Sequence, residues 1–301
     1  MVIRMTYKYR LRRFYKVATL PMFLMLAYSG TVYYLYEYEG IKALDISLGI
    51  STILGISISL LLGFRTSAAY DRWWEGRKIW GAIINDTRTL VRQLIGFVDG
   101  HDRNENIVSI TNYAIAWSYA LKNTLRRTDL AEEVKPFISE EEWRELENNR
   151  NVPNAILKEI ELQIRELKET GAVGTYEFVS LDQTIKALTD HMGKCERIKN
   201  TIFPIQYRLF TQAGVIIFCL MLPYGMLLST GPFVMLVSTI VTLFFLFLEM
   251  IAHDLQDPFS NKSTDIPMSA ICRTIEIELK QMIGNSHTPP VIVPDNEGVL
   301  M

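Results

Sequence analysis

Long apolar segments without a charged side chain alternate with polar segments along this chain. Residues 17–36, 46–64 and 209–248 contain no Asp, Glu, Lys or Arg, and a membrane-spanning helix needs roughly 20 apolar residues. The third segment is long enough for two spans, and residues 229–232 (Ser-Thr-Gly-Pro) interrupt it where Gly and Pro favour a turn. Because backbone groups in lipid must be hydrogen-bonded internally, the pattern predicts an all-α fold with four transmembrane helices.

The polar segment between the second and third predicted spans has apolar positions at helical spacing, which predicts a cytosolic helical domain. One such set is Ile156, Ile160, Ile164 and Leu167. We therefore divide the chain into four parts: a basic N-terminal segment with spans one and two (1–64), the cytosolic helical domain (65–208), spans three and four (209–252), and a cytosolic C-terminal segment and tail (253–301).

The distribution of basic residues predicts the orientation of the spans, because short loops rich in Lys and Arg stay in the cytoplasm. Before the first span there is no acidic residue, and the basic residues there are Arg4, Lys8, Arg10, Arg12, Arg13 and Lys16. After the second span come Arg65, Arg72, Arg77 and Lys78. The loop between these spans instead carries Glu37, Glu39 and Asp45 against Lys42. We expect both termini in the cytoplasm and this acidic loop outside.

The composition agrees with a membrane protein that has large aqueous parts. Hydrophobic residues make up 49% and charged residues 21% of the 301 residues, and the mean hydropathy is +0.12. The formal net charge of −2 gives no indication of a nucleic-acid partner. Cys195, Cys219 and Cys272 lie too far apart for a disulfide framework or a zinc motif, so we expect them to be packing residues.

The second span carries an apolar stripe with a period of four residues. Thr52, Ile56, Leu60 and Phe64 recur on one face of the predicted helix. If several copies surrounded one axis, rings of these side chains would form a narrow apolar constriction that gates ions by losing its water. The spacing alone favours the simpler alternative, in which the stripe packs against other spans.

Motifs after the second and fourth spans favour a pore-lining stripe over a stripe that packs against other spans. Residues 63–77 read GFRTSAAYDRWWEGR and include Arg72, Trp73 and Trp74. Residues 195–201 read CERIKNT, with Pro204 nearby, and Asp257, Pro258 and Phe259 precede the triplet Asp265-Ile266-Pro267. In this order between these spans, the motifs resemble those of the bestrophin family, in particular its bacterial members, over nearly the whole chain.

The resemblance implies a pentameric ion channel without a cofactor, in which the second helix lines an axial pore. The hydrophobic neck of the family falls on Ile56, Leu60 and Phe64, the residues of the stripe. A second, cytosolic constriction falls near Tyr176. The implied partners are further copies of the chain, membrane lipid and permeant monovalent ions, and the implied location is the bacterial inner membrane.

Two polar features near the membrane exits have structural explanations. Trp73 and Trp74 beside Arg72 would make a cage for a cation, but tryptophan and arginine also anchor helices at the cytosolic interface, which we favour. Glu249, at the cytosolic end of the fourth span, is expected to pair with a basic residue.

Animal bestrophins hold calcium in a cytosolic clasp of backbone carbonyls and two carboxylates, since calcium prefers many oxygen ligands. In this sequence Asp254, Asp257 and Asp265 remain, but Lys262 stands where the first of the two carboxylates would be. A cation there repels calcium. We therefore predict no calcium gating and no metal site.

We predict an ion channel and not an enzyme, because no catalytic constellation accompanies the four histidines. A transporter is an alternative, although paired repeats with broken helices are absent. An apolar neck cannot select the sign of an ion. Glu37, Glu39 and Asp45 would enrich cations at the outer mouth, so a monovalent cation such as sodium is favoured and chloride is the alternative.

Overall fold

The computed structural model describes residues 7–201, 204–294 and 300, with the backbone alone for residues 7–14, 16 and 17. The prediction of an all-α fold is confirmed for this part of the chain. Its α-helices are α1 (Tyr7–Glu37), α2 (Leu48–Phe97), α3 (Arg103–Arg126), α4 (Ala131–Val134), α5 (Glu140–Leu146), α6 (Val152–Glu169), α7 (Thr175–Asn200), α8 (Ile205–Thr230), α9 (Val234–Leu255) and α10 (Met268–Met282). Three short 3₁₀ turns lie between them, at Lys42–Leu44, Lys135–Phe137 and Gly231–Phe233.

Helix α2 extends far beyond the predicted second span. It contains 50 residues, so at 1.5 Å per residue it is about 75 Å long, more than twice the thickness of a hydrocarbon core. The change from apolar to polar sequence at Arg65 marks a change of surroundings and does not end the helix, because residues 65–97 contain no proline.

The chain turns at the interruption predicted in the third apolar segment. Helix α8 ends at Thr230, Gly231 has a φ of +53°, and a 3₁₀ turn leads into α9 at Val234. Glycine adopts this backbone conformation without steric cost. Two stretches, Lys42–Phe97 and Ile205–Leu255, are long and apolar enough to cross a membrane by their length and composition.

The chain divides into two compact units. Unit 1 comprises Met1–Trp73, Ile202–Asp257 and Asn296–Gly298, and unit 2 comprises Trp74–Thr201, Pro258–Asp295 and Val299–Met301.

Unit 1 has an apolar core between the first part of α2 and helices α8 and α9. Ile58 and Leu62 of α2 pack with Phe218 and Leu222 of α8 and with Phe245 of α9. The rings of Phe218 and Phe245 lie 4.8 Å apart between centroids. This core fixes which face of α2 is turned inward.

Unit 2 is built around α3, which is buried on almost every side and packs against α6 and α10. Trp80 and Trp117 are fully buried. The buried carboxylate of Glu276 accepts hydrogen bonds from Tyr119 Oη at 2.8 Å and from Lys280 Nζ at 2.7 Å. Burial and the hydrogen bond to Glu276 raise the pKa of the Tyr119 hydroxyl, so it stays protonated and keeps this contact.

The three cysteines are free and buried. Burial raises the pKa of the Cys195 and Cys272 thiols to about 12. A protonated, inaccessible thiol is a poor nucleophile and a poor metal ligand. These positions agree with the prediction that the cysteines are packing residues.

The closest approach between α2 and α8 limits what can replace Gly225. A Cβ atom built there would lie 2.3 Å from Ser51 Oγ and 3.0 Å from Ser51 Cβ. We expect Gly225→Ala to lower the stability of the folded protein by about 1–3 kcal/mol, the usual cost of overpacking. Thermal unfolding of the purified protein in detergent measures this.

Gly193→Ala is the matched control, because Gly193 is exposed on α7 and a Cβ atom there would have no heavy atom within 4 Å apart from its own stretch of helix backbone. Alanine favours a helix over glycine by up to about 1 kcal/mol. The control should therefore melt at or above the temperature of the unmodified protein. Equal melting temperatures for both variants would contradict the close approach at Ser51.

Candidate functional site

The apolar stripe predicted on the second span lies on the uncovered face of α2. Ile56, Leu60 and Phe64 are 66%, 59% and 62% exposed, whereas Ile58 and Leu62 on the opposite face are buried. One side of α2 therefore packs into the core of unit 1, and no other part of the described chain covers the opposite side. Such a surface needs lipid or another polypeptide against it.

The hydroxyl groups near the stripe are directed back to the helix. Thr52 Oγ1 donates to the carbonyl of Leu48 at 2.9 Å, and Ser57 Oγ donates to the carbonyl of Ile53 at 2.9 Å. Ser59 Oγ likewise donates to the carbonyl of Gly55 at 2.7 Å. Because these protons are used within α2, the stripe presents an apolar surface despite its hydroxyl neighbours.

An open cleft of about 650 Å³ runs beside the stripe in unit 1. Its lining comes from α2, α8 and α9 and includes Gly55, Ile56, Leu60, Phe218 and Leu222. A Cβ atom at Gly55 would lie 3.0 Å from the Phe218 ring, so the glycine allows that ring to reach α2. No sequence pattern predicted this cleft, because its walls come from distant segments.

A partly buried polar cluster around the buried Arg65 lies directly after the stripe. Arg65 Nη1 donates to Glu249 Oε1 at 2.8 Å, and Gln212 Nε2 donates to the same oxygen at 2.9 Å. Tyr207 Oη donates to the carbonyl of Leu61 at 3.0 Å. The expected basic partner of Glu249 is therefore Arg65. Sequence reasoning missed Gln212 and Tyr207, whose only signal is that they are polar residues in an otherwise apolar helix.

The signature arginine connects two helices of unit 1. Arg72 Nε donates to the carbonyl of Gln256, the C-cap residue of α9, at 3.1 Å. A charged donor at a helix C-terminus satisfies a carbonyl that lacks an intrahelical partner. The ring of Trp73 stacks on Tyr70 with centroids 6.3 Å apart, and Trp74 in unit 2 is partly exposed.

The second motif, at residues 257–265, is divided between the units. In unit 2, Phe259 is fully buried, and its ring would lie 3.2 Å from a Cβ atom at Gly76. Asp265 is buried, and its Oδ2 accepts the backbone N–H of Lys262 at 2.9 Å. The N–H of Asp265 donates to the carbonyl of Lys262 at 2.9 Å. The carboxylate is thus used to close its own loop.

The other two carboxylates of the calcium-clasp prediction belong to unit 1. Asp257 is the last residue of that unit's second segment, and Asp254 Oδ1 lies 3.8 Å from His253 Nδ1. Among the residues whose placement is described, no group of three or more His, Cys, Asp or Glu side chains is arranged to hold a metal ion.

The loop between α1 and α2 exposes its acidic side chains. Glu37, Glu39 and Asp45 are all exposed. The only basic residue of the loop, Lys42, donates from Nζ to the carbonyl of Tyr36 at 3.3 Å and lies 4.0 Å from the centroid of the Tyr36 ring. This cation–π contact holds the lysine charge against α1.

Tyr176, the residue predicted for a second constriction, is the second residue of α7. It is 89% exposed, which is more than any other large hydrophobic side chain in the described part of the chain. It belongs to unit 2, whereas the apolar stripe belongs to unit 1.

Comparisons with known proteins agree on one family. The family described as Bacterial/Fungal Bestrophin protein matches residues 3–281. The voltage-dependent anion channel-forming protein YneE of Escherichia coli is 30% identical over 260 residues, which cover 86% of this chain and 84% of that protein. The voltage-dependent anion channel-forming protein alr2987 of Nostoc sp. is 33% identical over 239 residues, or 78% of each chain.

The fold is also that of a solved relative. The crystal structure of a bacterial bestrophin homolog from Klebsiella pneumoniae superposes with a TM-score of 0.83 at 31% sequence identity, covering 89% of this chain and 99% of the other. The resemblance inferred from the Arg72-Trp73-Trp74 and Asp257-Pro258-Phe259 motifs is thereby confirmed. The chain belongs to the bestrophin family, in its bacterial and fungal branch.

Proposed function

We propose that this chain is the subunit of a homo-oligomeric ion channel, a pentamer in the bacterial inner membrane that passes monovalent ions through an axial pore. The observation that carries the proposal is the uncovered stripe of Ile56, Leu60 and Phe64, on a helix whose opposite face is buried. Family membership favours a channel over an enzyme, since relatives are named channel-forming proteins.

In this proposal α1, the first part of α2, α8 and α9 are the four membrane spans. Large apolar side chains on the outside of these helices support it, including Leu20, Phe23, Phe210 and Phe244. With both termini in the cytoplasm, the acidic loop at Glu37 to Asp45 lies outside. The basic residues before the first span lie outside the described residues or have no described side chain: Arg4, Lys8, Arg10, Arg12, Arg13 and Lys16.

The neck would gate by water exclusion. Rings of Ile56, Leu60 and Phe64 from several copies offer no hydrogen bonds to an ion's hydration shell, so a narrow neck loses its water and blocks passage. We also propose a second constriction at Tyr176, whose ring is exposed and would face the same ring of neighbouring copies.

Shortening the neck side chains tests this mechanism. We expect the variant Ile56→Ala/Leu60→Ala/Phe64→Ala to show larger single-channel currents in planar bilayers, by about tenfold, because a wetted constriction no longer strips water from the ion. Leu20→Ala is the control, since Leu20 is equally exposed but lies on α1 and not on α2. Unchanged currents in a correctly assembled triple variant would contradict the neck, and no currents from any protein would favour a transporter.

For the sign of the ion we propose a cation preference, with sodium as the test ion. The support is the exposed set of Glu37, Glu39 and Asp45, combined with a Lys42 charge that is held against Tyr36. Repeated around an axis, these carboxylates enrich cations within about one Debye length of 10 Å. Chloride is the alternative, favoured by the printed names of the Escherichia coli and Nostoc relatives, which are anion channel-forming proteins.

Reversal potentials in asymmetric sodium chloride distinguish the two ions. We expect reversal toward the sodium potential, and a shift toward zero in Glu37→Gln/Glu39→Gln/Asp45→Asn, because the outer charge is then removed. The shift should shrink in high salt, which screens exposed charges. Reversal toward the chloride potential in the unmodified protein would keep the channel and overturn its proposed selectivity.

We propose that the channel does not use calcium as its gating signal. Asp265 accepts a hydrogen bond from the backbone of Lys262, and the lysine adds a positive charge to the same loop. Adding calcium or the chelator EGTA should therefore change neither the open probability nor the melting temperature. A melting temperature that rises with calcium would reveal a bound ion and contradict the proposal, since a ligand of the folded state stabilises it.

A further inference from the structure

The most unusual group in unit 1 is a buried arginine at the inner end of the stripe. Arg65 is 1% exposed, although it follows Phe64, which is 62% exposed, by one position. Successive residues of an α-helix are rotated by about 100°. The arginine therefore extends into the bundle while the phenylalanine extends away from it.

A single carboxylate holds the arginine in place. Glu249 Oε1 of α9 accepts from Arg65 Nη1 at 2.8 Å and from Gln212 Nε2 of α8 at 2.9 Å. The Nε and Nη2 atoms of Arg65 are buried and make no hydrogen bond to the described part of the chain. The Glu249 carboxylate is thus the counter-charge that compensates the buried guanidinium.

The same end of the stripe has a second attachment. Tyr207 Oη of α8 donates to the carbonyl of Leu61 at 3.0 Å, one turn before Arg65. Within α8, the carbonyl of Tyr207 accepts a hydrogen bond from Thr211 Oγ1 at 2.7 Å. Leu60 and Phe64 therefore each precede a residue of α2 that is bonded to another helix.

A turn of α2 about its axis would break these attachments. Moving Phe64 around the helix by even a fraction of a turn would withdraw Arg65 from Glu249, which is unfavourable because the buried guanidinium would lose its counter-charge. The pair is therefore suited to fix the rotational position of α2, and with it the direction of the Phe64 side chain.

We infer that Arg65, Glu249 and Gln212 form a positioning clamp that sets the direction of Phe64 and so the conductance of the neck. The inference rests on the proposed neck. It adds that side chains outside the pore-lining surface control the conductance of the neck. Removing the counter-charge frees Arg65 to move toward water, which turns α2 and takes Phe64 away from the axis.

The test compares Glu249→Gln with the unmodified protein, alone and in combination with Phe64→Ala. Glutamine keeps the size of glutamate and removes its charge. We expect Glu249→Gln to raise the single-channel conductance about tenfold, within the range of coupling between contacting residues. In the Phe64→Ala protein the same change should have no further effect, since the side chain that the clamp positions is gone.

A second readout does not depend on the neck. In Phe64→Cys, the rate of modification by a water-soluble methanethiosulfonate reagent reports the surroundings of position 64, since the native cysteines are buried. We expect Glu249→Gln to change this rate about tenfold. Arg88→Gln is the control: it breaks the ion pair with Glu278 in unit 2, at 2.6 Å, and should leave the rate unchanged.

The outcomes separate the clamp from the neck. Equal effects of Glu249→Gln with and without Phe64 would overturn the clamp, as would an unchanged modification rate. If the triple alanine variant conducts like the unmodified protein, the neck is wrong, but the modification rate still decides the clamp. If Glu249→Gln does not assemble, Gln212→Leu is introduced into the Phe64→Cys protein instead, because it keeps the ion pair and removes one donor to Glu249. A modification rate equal to that of Phe64→Cys alone would then contradict the clamp.

Discussion

One side of helix α2 packs within unit 1, and the chain leaves the other side uncovered. The packing of unit 1 depends on this division of α2 into two sides. The side with Ile58 and Leu62 is buried against α8 and α9. The side with Ile56, Leu60 and Phe64 is not covered by the chain itself. Burying apolar surface is the main favourable contribution to folding and association, so the second side requires lipid or further copies. Lipid around the subunit, or further copies in the proposed oligomeric channel, would meet that requirement.

In the proposed channel, ion selectivity and gating depend on different residues. The stripe contains no charged side chain, and the hydroxyl groups of Thr52, Ser57 and Ser59 donate to carbonyls of their own helix. It can therefore control whether ions pass but contributes little to which sign passes. The choice between cations and anions is left to charges elsewhere, and the exposed acidic loop is the clearest set in unit 1. In the proposed channel, an apolar neck is therefore compatible with either ion, and the charges at the pore entrances would determine the sign.

Features encoded locally were predictable from the sequence. The turn between α8 and α9 falls at residues 229–232 because glycine and proline act on their own backbone. The stripe followed from a four-residue period. In contrast, Arg65 could not be identified as the partner of Glu249, because the two residues are 184 positions apart. The continuation of α2 to Phe97 was also missed, since hydropathy marks where the surroundings change and not where backbone hydrogen bonding stops.

The loop after Pro258 shows how a family motif can persist for a packing reason. Phe259 fills the space that Gly76 leaves free, and Ile266 N–H donates to the carbonyl of Pro258 at 3.1 Å. The Asp265 carboxylate accepts a backbone N–H of the same loop. A loop that is closed by its own hydrogen bonds and a buried ring does not need a cation to order it. Retention of Asp257, Pro258 and Phe259 is therefore compatible with a channel that is not gated by calcium, because the motif's contribution to packing does not depend on the ion.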